Sequence, residues 1–116
     1  MAKLTTHVLD TASGVPADRI KIELYAFSPE RLLLKSVVTN SDGRTDESLL
    51  SEQEIRPGCY ELCFHVGHYF KNKKMLSGQG AFLDIVPVRF TILSDKEHYH
   101  VPLLVSPWSY STYRGS

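Results

Sequence analysis

The sequence has few of the features that would assign it to a class at once. Its 116 residues include two cysteines and one tryptophan, and thirteen Lys and Arg side chains balance thirteen Asp and Glu side chains. A zero formal charge argues against nucleic acid or an anionic membrane as partner, since both are captured by basic patches. The longest cationic run, KNKK at residues 71–74, predicts a solvated helix or loop face. No apolar run reaches the length of about 18 residues that a membrane span needs.

The start of the chain also lacks a recognisable targeting signal. The first seven residues, MAKLTTH, contain no apolar stretch followed by a cleavage site and lead directly into a strand pattern. A chain of this length buries about two thirds of the surface that it exposes when unfolded. We therefore expect a cytoplasmic protein with a single domain over residues 1–116.

The two cysteines are too far apart to be bridged if their segment is a strand. Cys59 and Cys63 are four residues apart, which places them on one strand face at a separation of about 13 Å. The Cα atoms of a disulfide lie within about 7 Å of each other. We expect two free, buried thiols and no metal ligation by them.

Short apolar segments separated by turn signals fill the chain, which is typical of an all-β sandwich or barrel. Gly and Pro within residues 11–16 predict one turn, and NSDG at residues 40–43 predicts another. Residues 47–54 predict a polar loop or one helical turn, and 66–73 the only helix. Eight β-segments favour a two-sheet sandwich over a closed barrel: residues 4–9, 20–27, 32–39, 44–45, 58–64, 85–93, 99–105 and 108–113.

Alternation along residues 99–105 divides this strand into two faces. One face is uniformly apolar or aromatic and predicts core: Tyr99, Val101, Leu103 and Val105. The other carries His98, His100, Pro102 and Leu104. A monomer would leave the two apolar members of this second face exposed. That pattern is typical of a face covered by a partner subunit.

Two long segments resemble signatures of the transthyretin-like family. Residues 7–17, HVLDTASGVPA, are similar to its N-terminal signature, and residues 99–111, YHVPLLVSPWSYS, to its C-terminal one. Val105 is the one departure that we notice, where the signature usually has Leu. The closing YRGS at residues 113–116 is similar to the hallmark of the family's 5-hydroxyisourate hydrolases. The family's hormone carrier lacks this tetrapeptide and has Lys, Glu and Thr where this sequence has His7, Arg44 and His100.

The resemblance, which covers essentially the whole chain, implies a fold, an assembly and a reaction. The fold would be a prealbumin-like sandwich of eight strands with one short helix. The assembly would be a homotetramer, in which two subunits join edge to edge through their last strands and two such dimers stack. Each active site would lie in a channel where the dimers face one another. The reaction would be hydrolysis of 5-hydroxyisourate in urate degradation, with no cofactor.

The same resemblance implies catalytic roles for His7, Arg44, His100 and Ser116, and substrate-binding roles for His7, Arg44 and Tyr113. One neutral imidazole would take a proton from water. The guanidinium would orient the substrate and stabilise the charge that develops on oxygen. Tyr113 would close over the flat heterocycle, and Ser116 would place a hydroxyl and a carboxylate nearby. The sequence leaves open which histidine is the base.

Two other classes of function stay open at this point. His98 and His100 present two imidazoles on one side of a strand, and His7 would supply a third ligand for a zinc hydrolase. Against this, Arg44 in the same cleft would repel a dication. His98 is otherwise a secondary candidate for the metal-free site. The second alternative is a non-catalytic carrier of a small aromatic ligand.

Overall fold

The computed structural model describes residues 2–73 and 81–116, so Lys74 of the cationic run lies outside the described residues. It confirms the all-β sandwich with one short helix. Within the described residues, no helix has the length and apolar character needed to cross a membrane. The elements are β1 (Leu4–Asp10), β2 (Val15–Pro16), β3 (Lys21–Phe27), β4 (Arg31–Val38), β5 (Gly58–His65), α1 (Val66–Lys73), β6 (Ile85–Ile92), β7 (Tyr99–Val105) and β8 (Tyr110–Thr112).

Two four-stranded sheets form the sandwich. Sheet A has the strand order β2-β1-β7-β8, and sheet B has the order β4-β3-β5-β6. Strands β1 and β7 pair in parallel, with Leu4 opposite Tyr99 and Asp10 opposite Val105. This pairing brings the beginning and the end of the chain together in the middle of sheet A.

The core fills the space between the sheets. Burial alternates along β1, because successive side chains of a strand point to opposite faces. All four residues predicted as core on β7 are buried, and so are Ile22 and Leu24 of β3 and Leu62 and Phe64 of β5. Thr6 is also buried, and its hydroxyl donates to the carbonyl oxygen of Val101 over 2.7 Å. This polar group is therefore satisfied inside the core.

The helix forms over the predicted residues and closes one end of the sandwich. Val66, Tyr69 and Phe70 are its buried residues. The Tyr69 hydroxyl donates to Oδ2 of Asp10 over 2.8 Å, which ties the helix to the end of β1. The other oxygen of Asp10 accepts from the backbone N–H groups of residues 12 and 13, each over 3.0 Å. Asp10 therefore fixes the turn that the sequence predicts after β1.

The number of strands is predicted correctly, but one member is wrong. Arg44 and Thr45 do not form a strand. The Arg44 N–H donates to the side-chain oxygen of Asn40 over 3.2 Å, so it is unavailable to a neighbouring strand. The eighth strand is instead β2, which lies in the segment predicted as a turn and pairs with Leu9 and Asp10.

Both cysteines are free, as predicted. Cys63 is buried, and burial is the main cause that raises the pKa of its thiol. Cys59 is only half-buried, which differs from the prediction, because it lies near the start of β5 opposite Phe27 at the end of β3.

Candidate active site

The parallel pairing of β1 and β7 brings together polar side chains from both ends of the chain. Thr5 lies opposite His100, and His7 lies opposite Pro102. Thr5 and His7 alternate with buried Thr6 and Val8, so they share the outer face of sheet A. His100 lies on this face too, since its neighbours Tyr99 and Val101 point into the core.

His7 is held by the loop that follows β4. Its Nε2 atom lies 2.8 Å from the carbonyl oxygen of Asp42. A carbonyl oxygen only accepts hydrogen bonds, so Nε2 carries the proton and Nδ1 is the lone-pair nitrogen of a neutral His7 ring. The ring is therefore oriented before any ligand arrives.

Arg44 reaches the same area because its loop is fastened to β1. The Val8 N–H donates to the carbonyl oxygen of Gly43 over 2.8 Å. The Asn40 side-chain oxygen accepts from the N–H groups of Asp42 and Arg44 over 2.9 and 3.2 Å. The Arg44 side chain is exposed and makes no ion pair with any other described residue, so its donors are free for a ligand.

A cavity of about 450 Å³ opens on this side of the molecule. Three of the predicted residues, Arg44, His100 and Ser116, line it together with the secondary candidate His98. His7 does not line it, although its charge acts on His100. The remaining lining residues are Lys3, Thr5, Thr6, Thr45, Asp46, Glu47 and Ser48.

The pKa of His100 lies below its ordinary value of 6.5. Burial is the largest cause, because it disfavours the charged imidazolium. The positive charges of Arg44, His7 and His98 lower the pKa further, in that order. His100 is therefore neutral at pH 7 and able to accept a proton.

The end of the chain is built into sheet A beside His100. The N–H of Gly115 donates to the carbonyl oxygen of His100 over 2.7 Å, and the reverse bond spans 3.2 Å. A Cβ atom at Gly115 would lie 3.2 Å from Cβ and Cδ2 of His100, so little space separates the two residues. Arg114 binds Glu97 over 2.9 Å and stacks over Tyr99 at 4.4 Å. These contacts position the neighbouring residue Ser116, which lines the cavity.

Tyr113 lies elsewhere in a single chain. It is 60% exposed and lines a separate hollow with Arg89 of β6 and Val101 of β7. Tyr113 is therefore not among the residues that line the main cavity, where its predicted contact with substrate would form.

The predicted exposure of the second face of β7 holds only in part. Pro102 is buried and Leu104 is half-buried. β7 is an interior strand, flanked by β1 and β8, and the Thr112 hydroxyl donates to the carbonyl oxygen of Pro102 over 2.7 Å. The apolar surface of this face is therefore smaller than the sequence predicts.

Thr5 is the site residue that sequence reasoning missed. Its hydroxyl oxygen lies 2.9 Å from Nδ1 of His100 and 3.3 Å from Nε2 of His98. Alternation places Thr5 on the same face as His7, which was a usable signal. Its contact with the two histidines was not readable, because no local pattern indicates that β1 pairs with β7.

Comparisons with known proteins agree with this architecture. The sequence matches the model of the HIUase/Transthyretin family over residues 4–115. It is 51% identical over 117 residues to a 5-hydroxyisourate hydrolase of Pseudomonas aeruginosa, an alignment that covers 100% of this chain and 93% of the relative. The chain therefore belongs to the HIUase/Transthyretin family.

Two solved structures show the same fold. The structure of Klebsiella pneumoniae 5-hydroxyisourate hydrolase matches with a TM-score of 0.81 at 31% identity and covers 100% of both chains. The crystal structure of (S)-allantoin synthase matches with a TM-score of 0.91 at 49% identity. That match covers 99% of this chain but 44% of the synthase chain, so the likeness concerns less than half of the synthase.

Proposed function

We propose that this protein hydrolyses 5-hydroxyisourate to 2-oxo-4-hydroxy-4-carboxy-5-ureidoimidazoline in urate degradation. Family membership and a 51% identical hydrolase over the full chain support this activity. The observation that carries it is the shared cavity, which is lined by the imidazole of His100, whose pKa is lowered, and by the guanidinium of Arg44, which makes no ion pair with another described residue. A base and a fixed positive charge are what hydrolysis of a cyclic amide requires.

In the proposed reaction, water attacks the carbonyl of the six-membered ring next to the hydroxyl-bearing carbon. His100 is the better candidate for the base, because its lowered pKa keeps it neutral. Its Nδ1 atom is held by Thr5, so Nε2 is the nitrogen left to accept the proton of water. A general base of this kind contributes about 10²–10⁴ in rate.

Arg44 has the complementary role in this proposal. Its planar fork of donors suits a ureido or amide carbonyl and stabilises the oxyanion of the tetrahedral intermediate. Collapse of the intermediate breaks the C–N bond, and the proton held by His100 passes to the leaving nitrogen. His7, with its Nε2–H on Asp42, keeps Nδ1 as an acceptor for substrate or water.

The roles of the last residues remain predictions. Ser116 lines the cavity, which supports a hydrogen bond from its hydroxyl to substrate. Tyr113 needs a contact beyond the single chain to meet substrate, since it lines a different hollow. A cytoplasmic location likewise remains a prediction from the sequence.

We infer a homotetramer assembled as a dimer of dimers. Strands β6 and β8 each form one of the two edges of their sheets, and open edges are suited to pairing with a second chain. Trp108 just before β8 and Tyr110 at its start are 61% and 44% exposed, which supports a covered surface there. Leu104 on the outer face of sheet A supports a second contact, between dimers.

The deciding experiment is turnover of freshly prepared 5-hydroxyisourate by the purified protein, followed by absorbance. We expect acceleration over the spontaneous decay, and turnover lowered by about 10²–10³ in a His100→Ala control. Absence of turnover combined with binding of a small aromatic ligand would support the carrier alternative instead.

A chelator arm tests the zinc alternative. Among the described residues, no group of three His, Cys, Asp or Glu side chains is placed to hold a metal ion. We expect the rate to be unchanged after incubation with a strong chelator. Loss of activity that zinc restores would refute the metal-free mechanism.

A further inference from the structure

The hydroxyl of Thr5 lies between two imidazoles. Its oxygen is 2.9 Å from Nδ1 of His100 and 3.3 Å from Nε2 of His98. A hydroxyl has one hydrogen to donate and two lone pairs to accept with. It can therefore donate to one ring while it accepts from the other. The three side chains form a continuous hydrogen-bonded chain that has a direction.

The surroundings of His100 favour hydrogen-bond donation from His100 through Thr5 to His98. The neutral ring carries one hydrogen, on Nδ1 or on Nε2. Arg44 lines the same cavity and offers only donors, so it favours a lone pair on the nitrogen that faces the ligand. With that lone pair on Nε2, Nδ1–H donates to Thr5, and the Thr5 hydroxyl donates to Nε2 of His98.

We propose that Thr5 and His98 form a proton relay behind His100, an inference that rests on the proposed hydrolysis. As water attacks, its proton passes to Nε2 of His100 and its oxygen bonds to the carbonyl carbon. The Nδ1 proton of His100 moves to the Thr5 oxygen, and the Thr5 hydroxyl proton moves to Nε2 of His98. No proton is gained or lost, and the positive charge rests on His98.

The relay runs backwards when the intermediate collapses. His98 returns its proton to Thr5, and Thr5 returns one to Nδ1 of His100. His100 then gives its Nε2 proton to the leaving nitrogen as the C–N bond breaks. Each group regains its starting state, so one base serves both steps.

Charges around the cavity explain why the relay would help. An imidazolium at His100 is opposed by its burial and by charges on Arg44, His7 and His98. Moving the proton to His98 leaves His100 neutral and transfers the charge to the next side chain on the same face. The other charged side chains of the cavity are Lys3, Asp46 and Glu47, so groups of both signs line the space around the relay.

Nuclear magnetic resonance of the histidine rings tests the direction without substrate. Long-range ¹H–¹⁵N spectra at neutral pH distinguish a proton on Nδ1 from one on Nε2. We expect His100 to carry it on Nδ1 in the wild type and in Thr5→Ser, which keeps the hydroxyl. Thr5→Val keeps the shape but removes the acceptor, so the proton should move to Nε2.

Kinetics test the relay itself. Thr5→Val should lower kcat by about ten- to hundredfold, part of the effect of a general base, with KM changed by less than about twofold. Thr5→Ser should restore most of the rate. His98→Gln can still hydrogen-bond Thr5 but cannot hold the extra proton, so it should lose kcat while His100 keeps its Nδ1 proton. Thr11→Val, at an exposed position after β1 that does not line the cavity, is the matched control.

The outcomes separate this inference from the proposed function. A wild-type His100 protonated on Nε2, a Thr5→Val variant with the wild-type kcat, or a Thr5→Ser variant as slow as Thr5→Val would each overturn the relay. A wild-type protein that leaves 5-hydroxyisourate unhydrolysed would overturn the proposed function, whatever the ring spectra show.

Discussion

Gly43 controls the position of Arg44, and its replacement by alanine gives a sharp test of the site. The residue has φ +77°, in the left-handed region, and its carbonyl accepts the Val8 N–H over 2.8 Å. A Cβ atom there would lie 2.4 Å from the carbonyl oxygen of Val8 and 3.2 Å from Cβ of Pro16. Gly43→Ala therefore has both a backbone cost and a clash with β1.

The two costs can be estimated separately. The left-handed conformation costs a non-glycine residue about 1–2 kcal/mol. Relieving the clash moves the loop away from β1 and gives up a hydrogen bond worth about 0.5–1.5 kcal/mol. The free energy of unfolding should therefore fall by about 1.5–3.5 kcal/mol. At about 4 °C per kcal/mol for a chain of this size, Tm should fall by about 6–14 °C.

Gly14 provides the matched control. Its φ of +73° is nearly the same, but nothing lies within 4 Å of a Cβ atom built there. Gly14→Ala should therefore show the backbone cost alone, with a fall in Tm of about 4–8 °C. Thermal unfolding followed by circular dichroism measures both variants.

Turnover completes this test. A displacement of about 1 Å at a positioned group can lower the rate about a hundredfold, and Arg44 directly follows Gly43. Gly43→Ala should therefore lose most of its activity in the folded state, whereas Gly14→Ala keeps it. If Gly43→Ala and Gly14→Ala lose the same stability, or if folded Gly43→Ala keeps full activity, the assignment of this close contact is refuted.

Three further predictions concern the site and the assembly. His7→Ala, Arg44→Ala and His100→Ala should each lower turnover by about 10²–10³ with an unchanged fold; a variant at the wild-type rate contradicts its role. The pKa of His100 lies below its ordinary value of 6.5, so the wild-type rate should fall with acidity only below pH 6.5. Arg44 contributes to this lowered pKa, so Arg44→Ala should raise it in an NMR titration, and an unmoved pKa contradicts the contact. Leu104→Glu should split tetramers into dimers, as measured by light scattering, whereas Leu32→Glu at an exposed position should not. A Leu104→Glu dimer with full activity contradicts a site that needs both dimers.

Much of the fold was predictable because its signals are local. Burial alternates along β1 and, apart from buried Pro102, along β7, and turn residues mark the ends of most strands. The errors lie where the same short sequence is compatible with two local structures. Residues 11–14 do form a turn, yet Val15 and Pro16, which were predicted to belong to it, form β2 and pair with β1. The bonds of Asn40 keep Arg44 in a loop where a short strand was predicted.

Only candidate members of the site follow from the sequence. The resemblance supplies His7, Arg44 and His100 as candidates, but neither their separations nor the Thr5 hydroxyl between His98 and His100 follows from it. Those depend on the parallel register that sets Thr5 opposite His100. Such a register is fixed by packing of the whole sandwich, and no short segment encodes it. The burial of Pro102 was missed for the same reason.

The parallel pairing of β1 and β7 also bears on how the proposed base would stay neutral. Two strands from opposite ends of the chain place His7 and His100 on one face, and the Gly43 contact adds Arg44. Burial is the largest cause of the lowered pKa of His100, and charges on Arg44 and His7 lower it further. The charge that would bind and stabilise an oxyanion thus also keeps the base unprotonated. Substrate binding and base strength are therefore coupled, and a change at Arg44 alters both.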